Sequence, residues 1–233
     1  VKAPIVLAVD TPDLEIAKRW VSLTEPFVSV FKLGLEFFLT FGHDGVKAIK
    51  NETDAEIFLD LKLHDIPHTV SGAASAISSL APTYLTVHAS GGSAMIRAAA
   101  EATPHTRITA VTILTSLSEE DLSSIGFANS ALMSAVTLAD MAVKSGATAL
   151  VCSPLEISAI RSRVGQKPLI ITPGVRPHSE QGSDDQKRTM TPREAIEQGA
   201  SLVVIGRPIT KEWQNGAEEM VSKARVIAQE MMN

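Results

Sequence analysis

The chain has a single cysteine, Cys152, so no internal disulfide can form. That usage fits a reducing, cytoplasmic setting. Its apolar runs are strand-sized, far short of the roughly 20 residues that span a bilayer. The opening stretch, Val1 to Val9, has one lysine and a short apolar run. It leads straight into Asp10-Thr11-Pro12 without a small-residue cleavage site, so no signal peptide is expected. Positive charge is not in excess: 21 Lys and Arg against 26 Asp and Glu give a formal net charge of −5. This argues against a nucleic-acid backbone as the main partner, while leaving room for a local basic pocket. H-E-x-x-H, the P-loop and G-x-S-x-G are all missing. The six histidines (His43, His64, His68, His88, His105, His178) show no metal-ligand spacing on one face. His64 and His68 are four apart, but Pro67 lies between them at a helix start, and they read as packing or supporting residues. His88 reads as a hydrogen-bonded core histidine near the site. No metal site is expected.

What is present is a repeating pattern. The 233 residues are 45 % hydrophobic, enough for a sizeable core in one domain. Short β-branched runs alternate with helical patterns from end to end. The predicted strands are Ile5–Val9, Val28–Leu33, Glu56–Leu61, Tyr84–His88, Ile108–Leu114, Ala149–Cys152, Leu169–Thr172 and Leu202–Ile205. Their hydrophobicity is continuous rather than alternating, as for parallel strands buried on both faces. The predicted helices are Leu14–Leu23, Leu35–Lys50, Thr69–Leu80, Ser93–Thr103, Met133–Ser145, Pro154–Val164, Pro192–Gln198 and a last one near Ala217–Met231. Eight strands alternating with eight helices predict an α/β fold, a single-domain (β/α)₈ TIM barrel over residues 1–233, close to the roughly 250 residues usual for it. An open doubly wound sheet would announce a G-x-G-x-x-G turn after the first strand, where this chain has Asp10-Thr11-Pro12-Asp13. One connection is anomalous. From Gly174 to Arg188 the chain is polar and rich in turn formers, and a lid over residues 174–190 is expected there. A plain surface excursion is the alternative.

In such barrels the chemistry sits at the carboxyl ends of the strands. Strand 1 ends in Asp10 and strand 2 in Lys32-Leu33-Gly34. Strand 3 delivers Asp60 and Lys62, with Asp65 just beyond. Side chains at i and i+2 share a face, so Asp60 and Lys62 project together and Lys32 can join them. Lys32, Asp60, Lys62 and Asp65 sum to zero formal charge, and alternating neighbours keep each one ionised despite burial. A purely structural salt-bridge cluster is the rival reading, but buried ion pairs stabilise poorly, which favours a site. Strand 8 runs into Gly206-Arg207-Pro208. Gly206 permits close backbone approach to a phosphate, and Arg207 offers a fork of donors. Arg176 or Gln186 from the lid could add to them.

The segment Asp60-Leu61-Lys62-Leu63-His64-Asp65-Ile66-Pro67-His68-Thr69 resembles the D-x-K-x-x-D-I-x-x-T signature of the orotidine 5′-phosphate decarboxylase family. Val9-Asp10, Lys32-Leu33-Gly34, Val87-His88-Ala89-Ser90-Gly91-Gly92, Leu114-Thr115-Ser116, Thr172-Pro173-Gly174-Val175-Arg176-Pro177, Asp185-Gln186-Lys187-Arg188 and Ile205-Gly206-Arg207-Pro208-Ile209-Thr210 continue the resemblance in the same order. D-x-K-x-x-D alone is shared by a wider suprafamily; the joint set is far more specific. The resemblance implies cofactor-free loss of CO₂ from C6 of the nucleotide orotidine 5′-phosphate, giving UMP in pyrimidine biosynthesis. It implies Lys62 as proton donor to the C6 carbanion. Asp60 would sit beside the substrate carboxylate, and Lys32 would orient Asp60 and reach the ribose. Asp10 would bind ribose hydroxyls. Thr115, or the nearby Ser118, would meet the pyrimidine edge. Arg176, Gln186, Gly206 and Arg207 would form the phosphate side, with Gln181 competing for the glutamine role. Asp65, Ile66 and Thr69 would act across the interface of a homodimer with composite sites. The nearest alternatives are the 3-keto-L-gulonate 6-phosphate decarboxylases and hexulose 6-phosphate synthases of the same suprafamily, which use Mg²⁺ and a glutamate at the end of strand 2. Lys32 stands there in this chain and would repel the metal. A catalytically silent barrel serving as a scaffold is the alternative from another class.

Overall fold

Adjacent parallel strands need a long return crossover, usually a helix, and this chain supplies that alternation throughout. The computed structural model describes residues 2–175 and 190–232. Its strands are β1 (Ala3–Ala8), β2 (Val28–Gly34), β3 (Glu56–Leu63), β4 (Tyr84–His88), β5 (Arg107–Val111), β6 (Ala149–Val151), β7 (Leu169–Thr172) and β8 (Leu202–Ile205). They pair in chain order, and a parallel β1–β8 pair closes the barrel. The helices are α1 (Leu14–Thr24), α2 (Leu35–Lys50), α3 (Pro67–Ser78), α4 (Gly92–Ala102), α5 (Glu119–Ser124), α6 (Ala131–Lys144), α7 (Ile157–Val164), α8 (Pro192–Glu197), α9 (Arg207–Thr210) and α10 (Ala217–Met232). The predicted (β/α)₈ barrel is therefore the observed fold. Among the described residues, no helix is long and apolar enough to cross a membrane.

The differences from the sequence-based expectation are local. β5 stops at Val111, three residues before the predicted end. Thr112 already turns its N–H and hydroxyl to the Val151 carbonyl, at 3.0 and 3.1 Å. Ile113 and Leu114 leave the sheet, and their apolar character serves a cavity wall instead. β3 continues to Leu63, past the predicted Leu61, because it carries an irregularity described below. The short α5 was not predicted. Ser118 and Asp121 form a reciprocal capping box at its start, and three acidic residues fill its first turn. α9, a single turn after Gly206, was not predicted either. α2 runs over the predicted span but breaks its helical geometry at Gly42.

Two layers of apolar side chains hold the barrel. Alternate strand residues such as Ile5, Phe31, Leu59, Leu85, Ile108, Leu150 and Val203 pack outward beneath the helices. Val6, Val30, Phe58, Tyr84, Ala149, Ile171 and Leu202 fill the inside. At the base, Arg161 from α7 is 9 % exposed and donates to the carbonyls of Gly165, Pro168 and Gly199 and to the Ser201 hydroxyl, at 2.8–3.3 Å. One guanidinium thus ties together the chain leading into β7 and β8.

Candidate active site

The site begins one side-chain layer above the inner apolar plug. Side chains two residues apart on a strand share a face. Two residues beyond Val30, Phe58 and Tyr84 come Lys32, Asp60 and Thr86. Two beyond Ala149, Ile171 and Leu202 come Val151, Pro173 and Val204. A cavity of about 200 Å³ opens at this level, with Phe58 beneath it. Lys32, Asp60 and Lys62 line one part. Val111, Ile113, Leu114, Thr115, Val151, Pro173 and Val204 line the rest.

The charged part is a chain of ion pairs. The Lys62 ammonium lies 2.8 Å from Asp60 Oδ1. Lys32 Nζ lies 3.5 Å from Asp60 Oδ2 and 3.6 Å from Asp10 Oδ1. The Asp60 side chain is 14 % exposed and that of Lys32 11 %. Burial by itself would raise the Asp60 carboxyl. The charges of Lys32 and Lys62, with hydrogen bonds from Lys62 and Thr86, more than reverse this and hold it below the usual carboxylate range. Asp60 is therefore ionised at neutral pH. Gly34 lies close beside this array: a Cβ there would stand 3.2 Å from Asp10 Oδ1 and 3.3 Å from Lys32 Nζ, so the tips of those two side chains would have to shift by a few tenths of an ångström.

The array corrects one expectation. Its fourth member within the chain is Asp10, not Asp65. Asp65 follows the end of β3, is exposed, and accepts a hydrogen bond from its neighbour Ile66 N–H at 2.6 Å. Ile66 and Thr69 are exposed as well. None of the three lines the cavity of its own barrel.

The meeting of Asp60 and Lys62 also needs a revised explanation. Regular strand alternation would suffice, but the backbone is not regular there. β3 and β4 pair Leu59 with Leu85 and then Leu63 with Val87, so four steps on β3 match two on β4. Inside this bulge Lys62 has φ 50°, a left-handed conformation rarely adopted by residues with a Cβ. Its N–H donates to Thr86 Oγ1 at 2.8 Å. Thr86, which sequence reasoning missed, is fully buried and donates to Asp60 Oδ1 at 3.1 Å. A threonine inside a strand looks like an ordinary β former, so no local signal singled it out.

The remaining expected residues fall as follows. Thr115 lines the cavity. Ser118, the alternative for the same role, is engaged in capping α5, bonded to Asp121 at 2.7 Å. Gly206 follows β8, and a Cβ there would lie 3.2 Å from the Ala8 side chain; Arg207 is exposed at the first position of α9. Arg176, Gln181 and Gln186 lie outside the described residues, as does most of the expected lid. Its flanks are described: Val175 and Met190 form a parallel bridge. His88 is half-buried and packs against the His64 ring, centroids 5.3 Å apart. Burial, then the charges of His64 and Lys62, keep its pKa below the usual histidine value.

Comparison with known proteins places this geometry in a family. The model for the orotidine 5′-phosphate decarboxylase / HUMPS family matches residues 3–220. A protein of Thermobifida fusca named orotidine 5′-phosphate decarboxylase is 51 % identical over 215 residues, covering 92 % of each chain. One of the same name from Novosphingobium aromaticivorans is 46 % identical and covers 96 % of this chain and 97 % of its own. The crystal structure of orotidine 5′-phosphate decarboxylase from Lactobacillus acidophilus superimposes with a TM-score of 0.83 at 33 % identity, over 99 % of both chains. The matched length, the closed barrel and the Asp-Lys array at its mouth agree: the chain belongs to the orotidine 5′-phosphate decarboxylase / HUMPS family.

Proposed function

We propose that this chain, as a cytoplasmic enzyme, converts orotidine 5′-phosphate to UMP without a cofactor, with Lys62 as the proton donor. Decarboxylation is the activity named for a relative 51 % identical to this chain. The observation that carries the role of Lys62 is its 2.8 Å contact with an ionised Asp60 at the cavity wall. A carboxylate leaving as CO₂ deposits its bonding pair on the ring carbon. A fixed ammonium at that point stabilises the developing carbanion before any proton moves, and then delivers one. Lys62 is left neutral and takes a proton back from solvent. Asp60 keeps the ammonium aimed, and Lys32 helps keep Asp60 ionised. In this reading Asp10 and Lys32 bind the ribose hydroxyls and Thr115, which lines the cavity, meets the pyrimidine edge.

The phosphate falls to the β7–β8 side, to Gly206 and Arg207, joined by Arg176 and Gln186 as a lid over residues 174–190 closes. Phosphate binding, remote from the reacting carbon, then drives closure and water exclusion. Asp65, Ile66 and Thr69 serve the neighbouring site of a homodimer. Their exposure supports this, Ile66 above all, an apolar side chain 65 % open to solvent. The metal-dependent branch of the family fits the residues less well. The carboxylates that could hold a divalent cation, Asp10 and Asp60, already face Lys32 within 3.6 Å.

The test is loss of orotidine 5′-phosphate absorbance, followed in EDTA. Turnover persists with the chelator, and Lys62→Ala lowers kcat by at least about 10³-fold with the oligomeric state unchanged. Undiminished turnover in that variant would remove Lys62 from the mechanism. Activity abolished by EDTA would move the chain to the metal-dependent branch.

A further inference from the structure

Lys62 carries an unusual burden for a residue at the centre of a site. Its backbone is left-handed, a conformation in which the Cβ of an L residue crowds the following carbonyl oxygen. The bulge that creates this conformation also breaks the regular β3–β4 ladder between Leu59 and Leu63. A buried N–H without a ladder partner must find another acceptor. Here the acceptor is one side-chain atom, Thr86 Oγ1, at 2.8 Å.

The same hydroxyl has a single proton to give, and it goes to Asp60 Oδ1 at 3.1 Å. That oxygen also receives the Lys62 ammonium at 2.8 Å. Three links therefore form a closed circuit: Lys62 backbone to Thr86, Thr86 to Asp60, Asp60 to the Lys62 side chain. Thr86 sits on the inner face of β4, two residues beyond Tyr84, and has no solvent exposure. A β-branched side chain has few χ1 rotamers, so its hydroxyl is held where the circuit needs it. Thr86 is not among the residues that line the cavity.

We infer that Thr86 is a positioning residue for the reaction: its hydroxyl fixes both the strained backbone of Lys62 and the carboxylate that aims the Lys62 ammonium. This rests on the reading of Lys62 as proton donor. Removing the hydroxyl frees the backbone at residue 62 and leaves Asp60 short of one donor. The ammonium then spends less time at the reacting carbon, while the surfaces that bind substrate stay as they were. The signature is a loss in kcat with little change in KM.

Steady-state kinetics of Thr86→Val, Thr86→Ser and Thr86→Ala test this, each measured well below its unfolding temperature and beside Lys62→Ala. Valine keeps the shape and removes the hydroxyl. It lowers kcat roughly 10- to 100-fold, as expected for leaving buried polar groups unpaired, and changes KM less than about threefold. Serine keeps the hydroxyl and restores most of the rate. If valine does not fold, the alanine and serine pair decides: alanine is impaired and serine is not. Wild-type kcat in the valine or alanine variant overturns the inference. So does a serine variant as slow as valine, which would point to packing, or a change confined to KM. If Lys62→Ala itself retains turnover, the proton-donor reading fails whatever the Thr86 variants do. If Lys62→Ala is inactive and the Thr86 variants are normal, the Thr86 inference fails alone.

Discussion

The two halves of the barrel mouth are built on opposite principles. From β1 to β4 the inward positions are Asp10, Lys32, Asp60, Lys62 and Thr86, joined by ion pairs and hydrogen bonds. From β5 to β8 and the loop after β5 they are Val111, Ile113, Leu114, Val151, Pro173 and Val204, with Thr115 at the edge. Both halves continue the same strands upward from the same apolar plug. Their juxtaposition is what makes the ionic half effective. A charge acts more strongly on a reacting centre when the facing wall holds few water molecules to screen it. Charges alone would give a solvated rim, and apolar residues alone a binding slot without chemistry.

The strongest way to test this contrast is to remove the hub of the ionic half. Asp60→Asn leaves two lysine ammonium groups facing each other without their shared counter-charge. Losing one partner of a buried pair costs about 3–5 kcal/mol. If the transition state feels most of that, kcat falls by on the order of 10³-fold. A loss below tenfold would mean that the lysines hold their places without Asp60. The apolar half should be more forgiving. Leu114→Ser places a hydroxyl in the wall and removes packing, a change worth about 10- to 100-fold in kcat/KM. An effect as large as that of Asp60→Asn would erase the distinction between the halves. The smallest effect expected is on stability. Burial opposes the charge on Asp60, but Lys32 and Lys62 favour it more, so its pKa is lower in the fold than in the unfolded chain. Its contribution to stability is then present above the ordinary carboxylate range and lost as pH falls through the folded pKa. Unfolding temperatures measured from about pH 6 down to about pH 3 should fall less steeply for Asp60→Asn than for the parent. Parallel curves would show that Asp60 titrates alike in both states.

The two halves were unequally legible in the sequence, for a physical reason. A lysine or aspartate at a strand end is conspicuous because burying it needs a justification, so Asp10, Lys32, Asp60 and Lys62 stood out at once. A valine or leucine at the same level needs none. Val151 and Val204 look the same whether they fill a core or line a cavity, and only the closed barrel separates the two cases. The run Ile108–Leu114 read as one strand because apolar continuity does not reveal that Ile113 and Leu114 leave the sheet. The fold itself was plain, since eight repeats of one alternation leave little choice of topology, and boundary errors stayed within a few residues. Thr86 was out of reach. Its role depends on a bulge in the neighbouring strand, and a two-residue slip between β3 and β4 has no signature in either strand alone. Asp65 lies apart from the array of its own barrel because adjacency in sequence does not survive the end of a strand.

The left-handed backbone at Lys62 also bears on how this chain can change. Glycine adopts that conformation without the steric penalty, at an entropic cost of its own, so a glycine there would relieve the strain in the backbone. At position 62 that route is closed, because the residue that would relax the fold has no ammonium to offer. Drift toward stability must therefore pass through other positions. The strain at residue 62 becomes a fixed tax on the fold, renewed in every descendant that keeps its chemistry.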